Sequence, residues 1–179
     1  CQKCPLYQSR NYPVIGEGSH QAKIMFIGEA PGFNEDQTGH PFCGAAGQVL
    51  NDLLDGVGLL RQDIYICNIL KCRPPQNRDP QKNEIKNCVP YLDRQINLIQ
   101  PKIICPLGNY STAYILEKYK LKSFIQGISK IHGQIFEAKT LFSEIKIIPF
   151  YHPAVATYNP NTKSVLKDDF KILKKVLVN

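Results

Sequence analysis

The sequence predicts an α/β fold in which a parallel sheet is covered on both faces by helices. Three observations point there. Short apolar runs, bounded by glycine, proline or polar residues, recur four times along 179 residues. Between them lie segments whose apolar residues repeat at helical spacing. Strands that alternate with helices form parallel sheets held between helical layers.

The first run, residues 24–28 (IMFIG), reads as a buried strand that ends in a loop rich in glycine and acidic residues. Val49, Leu50, Leu53, Leu54 and Val57 then form one helical stripe. Residues 65–70 are the second strand. Asp79 is suited to cap a helix with Pro80 at its first position. Behind it Ile85, Val89, Leu92, Ile96 and Ile99 share a face, and Pro90 is expected to kink or split the helix. Residues 102–106 are the third strand, 109–119 a helix, and 145–151 the fourth strand, with His152 just beyond its end. From Lys163 onward Leu166, Phe170, Leu173 and Leu177 share one face of a closing amphipathic helix. The sequence shows no internal repeat or low-complexity linker, so a single domain over 1–179 is expected.

Hydrophobic residues make up 43% of the chain, enough for one well-buried core. A formal charge of +7 favours a polyanionic partner without naming it. No run approaches the roughly 18 apolar residues of a membrane helix, and no signal peptide is visible; we expect no membrane contact and a cytoplasmic location.

Seven cysteines, an odd number, argue against a complete disulfide framework. Reduced cysteines then serve burial, catalysis or metal. Cys1 and Cys4 form a C-x2-C pair, and Cys72 and Cys88 form a second, wider pair. Two such pairs can supply four ligands, and zinc and iron–sulfur are both open at this point. Cys72 and Cys88 also read as plain core residues. Cys67 and Cys105 lie in strand-like runs and read as core, whereas Cys43 has no assignment.

Three polar segments follow strands, so the carboxyl edge of the sheet gathers them. The first runs from Gly28 through Glu29 and Glu35 to Gly47. It has neither the spacing of a dinucleotide fingerprint nor a phosphate loop, which argues against a nucleotide cofactor. Phe42 in this glycine-rich stretch either stacks on a base or packs locally. The second segment runs from Asn68 to Arg78. The Asn68 amide offers a donor and an acceptor, matching the O4 and N3–H edge of uracil and mismatching that of cytosine. Lys71, Arg73 and Arg78 either meet phosphates or stay solvated. The third segment is His152-Pro153-Ala154, where the histidine either donates to charge on a leaving group or is structural.

Taken together these residues resemble a family 4 uracil-DNA glycosylase, the thermostable type of archaea and bacteria. The matching pieces are GEAPG at 28–32, ED at 35–36, G-x-PF-x-G-x-AG at 39–47, N-x-x-KCRPP-x-NR at 68–78 and HPA at 152–154. The cysteine spacing matches too, and the resemblance covers nearly the whole chain. It implies a three-layer α/β/α fold with a central four-stranded parallel sheet. It implies a 4Fe–4S cluster on Cys1, Cys4, Cys72 and Cys88 that ties down the amino-terminal arm. Phe42 then stacks on an extruded uracil, Asn68 reads its polar edge, and Gly28 and Ala30 line the base site. His152 steadies the departing anion at O2, and Glu29 lies beside sugar and base. Glu35 and Asn77 form a supporting network, with Glu35 also crowding the place of the thymine methyl.

The implied reaction is hydrolytic release of uracil from single- or double-stranded DNA, leaving an abasic site, by a monomeric enzyme. Two other readings are a glycosylase with broader scope for deaminated bases and a non-enzymatic iron–sulfur module that binds nucleic acid. Two stretches depart from the family pattern. Ala45 stands where relatives often carry arginine, and Thr157-Tyr158 stands where they often read leucine-arginine. Both changes remove a possible phosphate contact and leave Tyr158 as a candidate wedge.

Overall fold

A computed structural model describes residues 1–139 and 144–178. The described strands are β1 (Glu17–Gly18), β2 (Ile24–Gly28), β3 (Tyr65–Asn68), β4 (Ile103–Pro106), β5 (Phe136–Lys139) and β6 (Glu144–Ile147). They form one sheet in the order β1-β3-β2-β4-β6-β5. The α-helices are α1 (Phe33–Thr38), α2 (Ala45–Val57), α3 (Lys82–Ile99), α4 (Asn109–Lys118), α5 (Ile128–Ile131) and α6 (Pro160–Val178).

The α/β class and the parallel centre hold: β3, β2, β4 and β6 run parallel. The central four parallel strands are as expected, and β1 and β5 add antiparallel edges that bring the sheet to six. Neither edge carries an apolar run. β1 is two residues long, and β5 reads Phe-Glu-Ala-Lys with alternate residues buried. A strand covered on one face alternates in this way and gives a weaker signal than a doubly covered one.

All five residues of β2 are buried. Their side chains alternate between the two faces, as strand geometry requires. Ile24 and Phe26 join Leu50, Leu53 and Leu54 of α2 and Leu166, Phe170 and Leu173 of α6. Met25 and Ile27 join Leu92 and Ile96 of α3 and Ile115 and Leu116 of α4. Cys67 and Cys105 are fully buried, one in each layer, as expected of core residues.

Several boundaries move. The third helix begins at Lys82 with Gln81 as its cap residue, not at Pro80 behind Asp79. The buried Glu84 carboxylate turns back to accept the Gln81 amide at 2.8 Å, which fixes the start there. Asp79 is used elsewhere, accepting from the Tyr110 hydroxyl at 3.0 Å. Pro90 neither splits nor ends α3. Strand β6 itself ends at Ile147, but the Ile148 and Phe150 amides carry the pairing with β4 onward, donating to Ile104 and Pro106 at 2.9 Å each, up to a Leu107–Phe150 bridge. In α6, Leu166, Phe170 and Leu173 are buried as read, but Leu177 is exposed.

The chain passes from β2 to β3 on one side and then crosses to β4 on the other. Such a switch point opens a crevice beyond the carboxyl ends of the strands. Gly28 and Asn68 are register partners at those ends. His152 follows two residues after Phe150, which pairs with Leu107 past the end of β4.

Candidate active site

The crevice holds a cavity of about 500 Å³, a size suited to a small ring. Seven residues singled out from the sequence line it: Glu29, Ala30, Glu35, Phe42, Asn68, Asn77 and His152. Gly28 lies beneath them. A Cβ on Gly28 would come within 2.7 Å of the Phe42 Cζ and would also strike the Asn68 amide oxygen. The bare backbone there lets the aromatic ring and the amide approach each other.

Phe42 packs locally, as one of its two sequence readings expects: it is buried within the hydrophobic layer beneath α2, and it also faces the cavity. Its ring stacks near His152, with centroids 5.6 Å apart and planes at 30°. The residue adopts a left-handed backbone, φ 49°, which a bulky side chain rarely does. Glu35 holds that turn. One carboxylate oxygen accepts the amides of Cys43 and Gly44, each at 3.0 Å, and the other accepts that of Gly32 at 3.1 Å.

Glu35 and Asn77, expected to form a supporting network, do not bond to each other. Asn77 accepts from the Arg73 guanidinium at 2.7 Å, and Glu35 spends its oxygens on backbone. The two side chains line one cavity through separate hydrogen bonds. Glu35 sits inside a backbone clamp because three amides of two adjoining loops face one carboxylate.

Asn68 is 2% exposed, yet its amide oxygen has no hydrogen-bond partner. Buried polar atoms are rarely left so, and an orphan acceptor at a cavity wall is suited to a ligand donor. Its backbone is held from behind. Lys71 is buried and donates 2.7 Å bonds to the Asn68 carbonyl and to Gln95. That overturns the phosphate or solvent reading of Lys71. Arg78 instead forms a fork on the buried Glu84 carboxylate, at 2.7 and 3.0 Å.

His152 sits over Gly108, which has φ +89° and where an added Cβ would come within 3.3 Å of the His152 Cβ. The Ala154 amide donates to Nδ1 at 3.2 Å. A backbone N–H can only donate, so in the neutral ring the proton lies on Nε2. Burial pushes the His152 pKa down to about 4, against a weaker upward pull from the Glu35 carboxylate. The ring is therefore a neutral donor near pH 7. Glu29 is pushed the other way, up to about 7, by burial and then by the charge of Asp79.

The superfamily described as "Uracil DNA glycosylase superfamily" matches residues 15–174. The chain is 48% identical to the type-4 uracil-DNA glycosylase of Sulfurisphaera tokodaii, over 99% of this chain and 80% of that one. It is 48% identical to the Saccharolobus solfataricus type-4 enzyme, over 99% and 82%. The Archaeoglobus fulgidus type-4 enzyme is 42% identical, over 96% and 85%. The chain belongs to the type-4 uracil-DNA glycosylases. The reading as a non-enzymatic nucleic-acid module falls away with that membership.

In this type-4 uracil-DNA glycosylase a second cavity, of about 350 Å³, lies beside the amino-terminal arm. Cys1, Cys4, Cys72 and Cys88 all line it, and none of the seven cysteines forms a disulfide. Leu6 of the arm plugs against Leu70 and Cys72. The Cys72 sulfur accepts from Arg10 at 3.0 Å, and the Cys88 sulfur accepts the Lys71 amide at 3.2 Å. Such N–H donors support sulfur ligands that carry negative charge. Among the described residues no three His, Cys, Asp or Glu side chains close around one ion-sized point.

Sequence reasoning missed two kinds of residue in this glycosylase. Ala154 acts through its amide, which has no side-chain signature. Tyr110 was read only as part of a helix, yet its hydroxyl ties down Asp79, whose charge acts on Glu29. Tyr158, the candidate wedge, is highly exposed and borders the same cavity. Among the described residues no helix is long and apolar enough to cross a membrane.

Proposed function

We propose that the enzyme extrudes a deoxyuridine from DNA into the Phe42–Asn68–His152 cavity and hydrolyses its N-glycosidic bond. Uracil leaves and an abasic site remains. The observation that carries this reading is the buried, partnerless Asn68 amide oxygen. It is suited to accept N3–H of uracil while the amide nitrogen donates to O4. Cytosine presents the opposite pattern along that edge, so it would leave two buried groups mismatched.

Phe42 stacks on the flipped base. The Nε2–H of His152 donates to O2 as negative charge gathers there, in a cavity where each hydrogen bond is strengthened by burial. The C1′–N1 bond breaks with its electron pair moving to the uracil ring. Positive charge then develops on the sugar, beside the carboxylate of Glu29. Water attacks C1′ and gives up its proton, and the uracil anion is protonated on release. Ala30 has no side-chain base to offer, so bond breaking leads and water follows. A uracil in a mismatch or a single strand costs less to extract.

Four thiols around a cavity larger than one ion, two of them receiving N–H donors, suit a 4Fe–4S cluster on Cys1, Cys4, Cys72 and Cys88. Bound there, the cluster would supply a cross-link between the amino-terminal arm and α3. Lys71 connects the two regions, since its amide reaches Cys88 and its ammonium group holds Asn68.

The test is release of uracil from single- and double-stranded oligonucleotides, read as alkali-sensitive abasic sites. Release from uracil substrates with matched thymine and cytosine controls left intact is expected. Intact uracil substrates across salt and temperature would overturn the proposal, and hypoxanthine substrates would measure any broader scope.

A further inference from the structure

Phe33 is the first residue of α1, directly after Gly32, and the residue is 57% exposed. A large aromatic side chain at such a position adds little to the core. It does not stand alone. The Arg73 guanidinium lies over the ring, 5.1 Å from its centroid. Arg73 is oriented in turn by its Nε–H bond to Asn77 at 2.7 Å. Gly32, Pro74 and Asn77 all line the uracil cavity, so the Phe33–Arg73 pair stands at its lip.

The other cations of this segment are committed. Lys71 is buried on Asn68 and Gln95, and Arg78 is forked onto Glu84. Arg73 forms no ion pair among the described residues, and its hydrogen bond to Asn77 uses only Nε. Its two terminal nitrogens are left to a ligand or to water. An oriented guanidinium without a carboxylate, next to an exposed aromatic ring, matches a nucleotide in both parts.

We infer that Phe33 and Arg73 form a subsite for the nucleotide that flanks the extruded deoxyuridine. Arg73 pairs with the phosphodiester, and the Phe33 ring packs against the neighbouring base. The subsite rests on the reading that the cavity takes the extruded uracil. It gives the enzyme a grip on the strand at the lip of the cavity, built from α1 and the Asn68–Arg78 segment. A gain in affinity from flanking nucleotides is its function.

The experiment uses the full chain and single-stranded oligonucleotides with one uracil, either central or trimmed to one nucleotide on each flank in turn. Phe33→Ala should raise KM on the central substrate roughly tenfold with kcat retained, and Phe33→Tyr should restore it. Arg73→Gln should flatten the dependence of log KM on log salt by about 0.7, the contribution of one phosphate on a single strand. Trimming the correct flank should cost wild type more kcat/KM than it costs Phe33→Ala. Phe33→Leu provides a second variant if Phe33→Ala loses its fold by circular dichroism. Wild-type KM and salt slope in both Phe33→Leu and Arg73→Gln, with uracil still released, would overturn the subsite alone. Absence of release by the wild type would overturn the excision reading beneath it.

Discussion

The amide of Ala154 donates to Nδ1 of His152 across 3.2 Å, which leaves Nε2 as the donor nitrogen of a neutral ring. That backbone amide sets the tautomer that the proposed reaction needs. His152→Ala should lower kcat on the order of a hundredfold to a thousandfold, the usual effect of losing one donor to a developing anion. Single-turnover release from a saturating uracil oligonucleotide measures it. The imidazole should stay neutral down to about pH 4, so its ¹⁵N signals should not titrate between pH 5 and 7. With the native pKa below the ordinary 6.5, the unfolded chain binds more protons in that interval. Stability from this group is full above 6.5 and is lost as pH falls towards 4.

Glu29 carries the opposite sign. Its pKa rises from 4.5 to about 7, so the native state holds a proton that the unfolded state releases. Stability therefore falls as pH rises from 4.5 through 7. Glu29→Gln should melt higher than wild type at pH 8 and match it near pH 5. Activity moves the other way, because the ionised carboxylate is the form that steadies a sugar cation. Wild-type kcat should climb with an inflection near pH 7, and Glu29→Gln should show a lower, flat profile in the same range.

Gly28 tests whether close approach of Phe42 and Asn68 is what the cavity depends on. An added methyl would meet the Phe42 ring at 2.7 Å and would press on the Asn68 amide as well. Gly28 is not in a left-handed conformation, so alanine strains no backbone angle; the cost falls on those two side chains. Gly28→Ala should lower kcat/KM by roughly tenfold to a hundredfold, consistent with misplacement of about 1 Å. Uracil-release kinetics beside a thermal melt would show it, with the loss in rate outweighing the loss in stability.

The parallel centre of the sheet was legible because doubly buried strands are continuous apolar runs, as in Ile24–Gly28. The edges were not, since Glu17–Gly18 has no apolar residue and Phe136–Lys139 alternates. The gathering of Gly28, Phe42, Asn68 and His152 was legible from their places after strands. What the motifs hid was division of labour among like residues. Lys71, Arg73 and Arg78 are three cations in one short segment, and only the fold shows one buried, one at a lip and one on Glu84. The same holds for Glu35, whose partners are main-chain amides and leave no mark in sequence.

Asn68 decides the choice of base in this scheme. Asn68→Asp keeps the shape and replaces a donor with an acceptor, so O4 of uracil meets a carboxylate. Uracil kcat/KM should fall on the order of a hundredfold or more, since the site then leaves polar groups unpaired. Discrimination against cytosine should narrow in the same variant. Parallel release assays on uracil and cytosine oligonucleotides measure both, and an unchanged ratio would remove Asn68 from base reading.

The cysteine cavity sets the last expectation. Cys4 and Cys72 are far apart in sequence, and a centre bound by both closes a long loop that the unfolded chain must otherwise open. Ligand loss therefore costs folding free energy before it costs chemistry, because the cavity lies apart from the Phe42–His152 wall. Cys4→Ala should lower bound iron and reduce Tm by roughly 5–10 °C for a chain of this size. The folded fraction that survives should keep a kcat near wild type. Iron analysis, thermal melting and active-site titration separate the two effects. A variant with full iron content and an unshifted melt would remove Cys4 from the ligand set.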